Sequence, residues 1–244
     1  PVGSGSNVFF TFNKGNFTGV REFFVASDTD TKKADDITAN VPKFVPANVF
    51  KLATSTTENI LIALSSDEDN ALYVFQYYVA QNKRLQSAWH KWTYGTSTSD
   101  KILNVDFIEN TLFIVNERSD GVYLETIDVS PALTDSGETY LTHLDRKINN
   151  TQLTESYNAG TNQTTLTLPY AINNTMKVVG RSGASNKAGQ EITTVSQSGT
   201  SIVVSGDITA QNFFIGEHTK EFAKAWDTFF VKALECIRGD VAAC

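Results

Sequence analysis

The sequence predicts a mainly β protein of antiparallel meander sheets, with a smaller second β domain and a short C-terminal helix. Three observations predict it. Short apolar segments recur between residues 59 and 130 with polar breaks between them, the interval at which hairpin-linked strands follow one another in propeller blades, barrels and sandwiches. No helical run long enough for a parallel crossover, about 10–15 residues, intervenes. After Ile148 the texture turns to Asn, Thr and Gly, and only from Lys220 do apolar residues recur at three or four positions.

Taken in order, residues 8–12 and 20–26 read as strands around the turn Asn13-Lys14-Gly15-Asn16. Pro42 and Pro46 forbid continuous pairing, so the chain between them passes as an extended edge or loop to the next sheet. Strands are expected at 60–64, 72–79, 85–94, 102–108, 112–116 and 122–129. Their breaks are Asp67-Glu68-Asp69-Asn70, Glu109-Asn110 and Ser119-Asp120-Gly121, where Asp120-Gly121 signals a type I′ hairpin. The segment from Ala71 to Tyr94 carries most information, two aromatic strands about a polar turn at residues 81–84. Alternation sets Trp89 and Lys91 on one face and His90 and Trp92 on the other, so one tryptophan goes inward and the other meets a neighbour.

The second β domain, a small sandwich or barrel inserted into or attached to the first assembly, contains expected strands at 152–157, 164–168, 176–179, 191–196, 201–204 and 213–215. Clear turns lie at Ala159-Gly160-Thr161-Asn162 and Ser198-Gly199. From 220 to 238, Phe222, Trp226, Phe229, Ala233 and Ile237 fall on one helical face, with Arg238 and Gly239 placed as a helix end. The division is therefore 1–148, a sheet assembly; 149–217, a small β domain; and 218–244, an amphipathic helix and tail.

With 244 residues and 41% hydrophobic content, the chain fills a real core. No apolar run of about 18 residues exists, which excludes a membrane-spanning helix, and PVGSGSN lacks the features of a secretory signal. A net charge of −7 weighs against a dedicated nucleic-acid binder, whose phosphate contacts need clustered Lys and Arg. Cys236 and Cys244 form no disulfide framework and no zinc spacing, which fits a reducing assembly compartment.

No residue is singled out as catalytic, cofactor-binding or metal-ligating. His90, His143 and His218 lie in no mechanistic motif; His143 near Asp145 suggests acid–base work only weakly beside a plain surface reading. Asp28, Asp30, Asp35 and Asp36, or Asp67-Glu68-Asp69, lack the glycine and terminal glutamate of a calcium loop and read as solvated charge. Lys83, Arg84 and Lys91 with Trp89, Trp92 and Tyr94 are split between two faces and read as hairpin packing before a base-stacking platform. The sequons at Asn16, Asn149, Asn162 and Asn173 follow from composition.

Phrases along the chain carry a resemblance: Val20-Arg21-Glu22-Phe23-Phe24, Asp36-Ile37-Thr38-Ala39-Asn40-Val41-Pro42, Gln86-Ser87-Ala88-Trp89-His90-Lys91-Trp92, Gly121-Val122-Tyr123-Leu124-Glu125-Thr126-Ile127-Asp128, Leu144-Asp145-Arg146-Lys147, Thr167-Leu168-Pro169-Tyr170 and Phe214-Ile215-Gly216-Glu217. In this order, over about residues 1–217, they resemble the nozzle family (tail tubular protein B) of short-tailed bacteriophages. The resemblance implies a non-enzymatic virion protein with a β-propeller-like subunit, the sheet assembly being part of a larger propeller. It also implies self-association into a hexameric ring below the tail adaptor, surfaces for tail fibres, and a channel through which phage DNA passes without sequence-specific binding. No cofactor is implied, and the expected location is the virion tail after assembly in the host cytoplasm. The beginning of the chain, without Met, resembles an interior part of the family's protein, so a fragment or processed product is expected. The alternatives are an envelope-polysaccharide-degrading enzyme, which needs two facing carboxylates, and a sugar-binding propeller.

Overall fold

The computed structural model describes residues 1–26, 31–80, 83–94, 100–130, 134–135, 137–182 and 188–218. The expected helix at 220–238 and both cysteines lie outside them. The chain divides into two compact units, Pro1–Pro131 and Ala132–Cys244.

The first unit holds three antiparallel meanders whose strands follow chain order across each sheet. Strands β1 (Val2–Ser4), β2 (Asn7–Asn13), β3 (Thr18–Ala26) and β4 (Thr31–Asp36) form the first sheet. Strands β5 (Val49–Ser55), β6 (Ile60–Ser65), β7 (Ala71–Ala80) and β8 (Lys83–Thr93) form the second. The third has three: β9 (Lys101–Ile108), β10 (Thr111–Arg118) and β11 (Gly121–Asp128). The opening strands of successive sheets are neighbours, β1 beside β5 and β5 beside β9.

The second sheet is the middle layer, which explains why ILIALS in β6 is apolar without alternation: all six residues are buried. Its Ile60, Ile62, Leu64, Leu72 and Val74 pack on Ile102, Val105, Leu112 and Ile114 of the third sheet. On the opposite face Leu61 and Phe75 pack on Phe9 and Val20 of the first. Each such side chain removed from water contributes roughly 1.5–3 kcal/mol, so these two seams hold the unit together.

Four strands escape the sequence pattern. Strand β4, TKKADD, is exposed at nearly every position and gains order from its pairing with β3. Strands β1 and β5 and the later β12 carry few apolar residues in alternation. The hairpin after β10 forms as expected, but Arg118 pairs with Gly121, so its central residues are Ser119 and Asp120. Neither has the positive φ of a type I′ turn, and Gly121 takes φ 154° just outside it.

The second unit holds two four-stranded antiparallel sheets. One contains β12 (Asp145–Asn149), β19 (Phe213–Glu217), β15 (Met176–Gly180) and β16 (Glu191–Ile192), in that spatial order. The other contains β13 (Thr154–Asn158), β14 (Gln163–Thr167), β18 (Ser201–Ser205) and β17 (Thr194–Ser198). Between β12 and β13 a 3₁₀ turn, Asn150–Gln152, is capped by the Asn149 side chain, so Gln152 is not in a strand as expected. The expected strand at 191–196 divides at Thr193 into β16 and β17, which join different sheets. The core comprises Leu166, Met176, Val178, Ile192, Ile202, Val204, Phe213 and Ile215, all 2% exposed or less. Strand β12 pairs with β19, Asp145 facing Glu217, so the chain enters and leaves this pair of sheets on adjacent strands.

Ile62 is fully buried in the seam between the second and third sheets. Ile62→Ala should destabilise the first unit by about 3 kcal/mol through lost burial and a cavity. Urea unfolding followed by tryptophan fluorescence measures it, since Trp89 and Trp92 both lie in this unit.

Candidate functional site

The aromatic hairpin β7–β8 is more internal than its sequence suggests. Trp89 sits on one face with its ring 5.1 Å from Phe75 and 6.4 Å from Phe44, and its indole N–H donates to the Ile37 carbonyl at 2.9 Å. Trp92 packs on the opposite face against the cluster shared with the third sheet. Both tryptophans therefore seal seams within the unit, and the neighbour expected for the second one is the chain's own third sheet. Past β6, the hairpin is held by an ion pair between Arg84 and Glu22, a carboxylate only 3% exposed on the first sheet. The Arg84 guanidinium also lies over the Phe75 and Tyr77 rings at 5.5 and 5.4 Å, and Asn7 donates to Glu22 at 2.7 Å.

Two of the three cations weighed for base stacking are paired within the unit, and the Lys83 side chain lies outside the described residues. Arg84 serves Glu22, and Lys91 donates to Glu68, which also accepts from the Tyr73 hydroxyl. The acidic run before β7 is likewise occupied: Asp67 accepts from Asn48 at 2.7 Å, and Asp69 lies 3.8 Å from Lys101. Asp36 pairs with Lys14 at 2.6 Å and accepts from the Thr38 backbone, while Asp28 and Asp30 lie outside the described residues. Among the described residues no group of three metal-capable side chains converges. His90, His143, His218 and Asp145 are exposed. A shallow groove of the second unit is lined by Thr151, Gln152, Leu153, Thr154, Thr167, Leu168 and Pro169, without a titratable group.

What the first unit does present is two apolar sheet faces, one at each end of its stack. On the outer face of the first sheet, Val8 pairs with Phe23, Phe10 with Arg21 and Phe12 with Gly19, and Val25 lies opposite Lys32. Val8 is 38% and Val25 51% exposed. A Cβ on Gly19 would stand 2.3 Å from the Phe12 ring, so only glycine lets that ring lie across β3, where Arg21 covers it at 4.6 Å. On the outer face of the third sheet, Val115 pairs with Leu124, Glu117 with Val122 and Phe113 with Thr126. Val122 and Leu124 are 61% and 67% exposed, and Ile108, opposite Thr111, is 65% exposed. Period-2 alternation marks both rows in the sequence, but only the sheet order reveals which face lacks a neighbour.

Two outcomes follow from the internal charges. Arg84→Ala leaves Glu22 buried without its cation and should cost about 3 kcal/mol, whereas Lys51→Ala, whose partner Asp106 is largely exposed, should cost under about 0.5 kcal/mol in the same urea titration. The hydrogen bonds from Lys91 and then Tyr73 hold the Glu68 carboxyl below its ordinary 4.5. A depressed carboxylate stabilises the fold above its ordinary value, and that contribution is lost as pH falls through the folded-state value. Stability should therefore fall on acidification below 4.5, and Glu68→Gln should make the urea midpoint depend less on pH there.

The family model described as bacteriophage nozzle protein matches residues 1–235. Tail tubular protein gp12 of Escherichia phage T7 is 27% identical over 171 residues, which cover 69% of this chain and 21% of that protein. The chain thus spans about a fifth of the length of this curated relative. By the family match over nearly its whole length, the chain belongs to the bacteriophage nozzle protein family.

Proposed function

We propose that this chain is part of a structural, non-catalytic subunit of a short phage tail, located in the nozzle of the virion after assembly in the host cytoplasm. The observation that carries the reading is the family match over nearly the whole chain. In this reading six subunits close a ring below the adaptor, offer surfaces to tail fibres and leave a channel for DNA. Identical subunits in a ring repeat one heterologous contact, which calls for two different sticky faces on a stiff body. The three sheets act as consecutive blades of a larger propeller; their chain-order meanders and adjacent opening strands support this. The second unit acts as a further domain of the same subunit.

The work of such a ring is mechanical. A net charge of −7 gives the wall no general attraction for a polyanion, so DNA in transit is not retained by ion pairs. Electron cryo-microscopy of intact virions, with this polypeptide traced into density, tests the reading. Density for the chain around the axis of the tail's distal end is the expected result; a position in the capsid, or absence from the virion, would overturn it.

A further inference from the structure

The seam between the second and third sheets is apolar at one end and polar at the other. On the inner face of β10 the buried positions run Leu112, Ile114, Asn116 and Arg118. The first two belong to the seam's hydrophobic cluster. Arg118 is met by Glu125 at 3.1 Å and Asp100 at 3.8 Å, and its guanidinium lies 5.8 Å from the Tyr94 ring. Asn116 stands between the two groups. It is 0% exposed, and neither its amide oxygen nor its amide nitrogen has a hydrogen-bond partner in the protein.

A buried polar group left unmet disfavours folding by roughly tenfold to a hundredfold, a loss that leucine, of similar size, would avoid at this position. A second irregularity falls at the same point. The ladder between β9 and β10 shifts register between Val115 and Asn116: Val115 pairs with Asn104 and Asn116 with Ile102, so Leu103 has no partner residue on β10. A bulge of this kind opens the ladder and leaves the extra residue unpaired. A single water serves both places, since the amide offers a donor and an acceptor and the bulge offers a backbone group. We propose that this seam holds one internal water, bound between the Asn116 side chain and the backbone of Leu103. The water completes the interrupted ladder and closes off the apolar part of the seam where the charged cluster begins. The site lies wholly between β9 and β10, so it is the same whether or not the chain is built into a ring.

Two measurements on the purified chain test this. A crystal structure at about 2 Å or better should show one water within about 3.2 Å of both the Asn116 amide and a Leu103 backbone atom. Direct protein partners for the amide, or an amide with nothing against it, overturn the proposal. Asn116→Leu keeps the volume but strands the bulge, and should raise the unfolding equilibrium constant by about tenfold at fixed urea. An unchanged or higher urea midpoint overturns the proposal, because it means that the amide brings no bound partner with it. A lowered midpoint caused by a lost protein partner instead is told apart by the crystal density.

Discussion

Strand β6, inside the middle sheet of the first unit, has no face to give to water. Every residue of β6 is buried, and its neighbours divide alternately between two seams, Ile60, Ile62 and Leu64 towards the third sheet and Leu61 towards the first. Other features of the unit answer to this constraint. Trp89 and Trp92, three positions apart and so of opposite parity, close one seam each. The Arg84–Glu22 pair ties the overhanging end of the same hairpin to the first sheet. A buried pair of this kind adds little net stability over apolar packing, but it fixes which sheet the hairpin leans on, since either charge alone would be stranded.

Much of this was legible in the sequence, for physical reasons that differ by element. Strand β10 alternates in burial because one face meets the core and the other does not, although Leu112 to Val115 are all apolar, and β6 is a continuous apolar run because both faces are covered. The alternation of Trp89 and Trp92 could be read directly, but not that both would be internal, because that depends on a third sheet arriving from residues 101–128. Strand β4 stayed hidden because an edge strand with Lys32, Lys33, Asp35 and Asp36 obeys its hydrogen-bonding partner, not its own hydrophobicity. The break at Thr193 was equally invisible: a single residue passes the chain from one sheet to another without any glycine or proline to announce it.

The candidate sites weighed from the sequence fare according to charge pairing. Acidic residues that looked like a solvated or ion-binding run are taken up by lysines, amides and a tyrosine of neighbouring strands, distances along the chain that no local motif encodes. The apolar outer faces were present in the sequence as ordinary alternation. What could not be read was which side of the alternation meets a neighbouring sheet within the unit, which the sheet order sets.

In the second unit, β12 and β19 are hydrogen-bonded neighbours, with Asp145 opposite Glu217. The polypeptide therefore departs from and returns to nearly the same spot, so one antiparallel pair brackets both sheets. A residue inserted at a turn of the other sheet, such as the Gly160 turn joining β13 to β14, lengthens the chain without touching that bracketing pair.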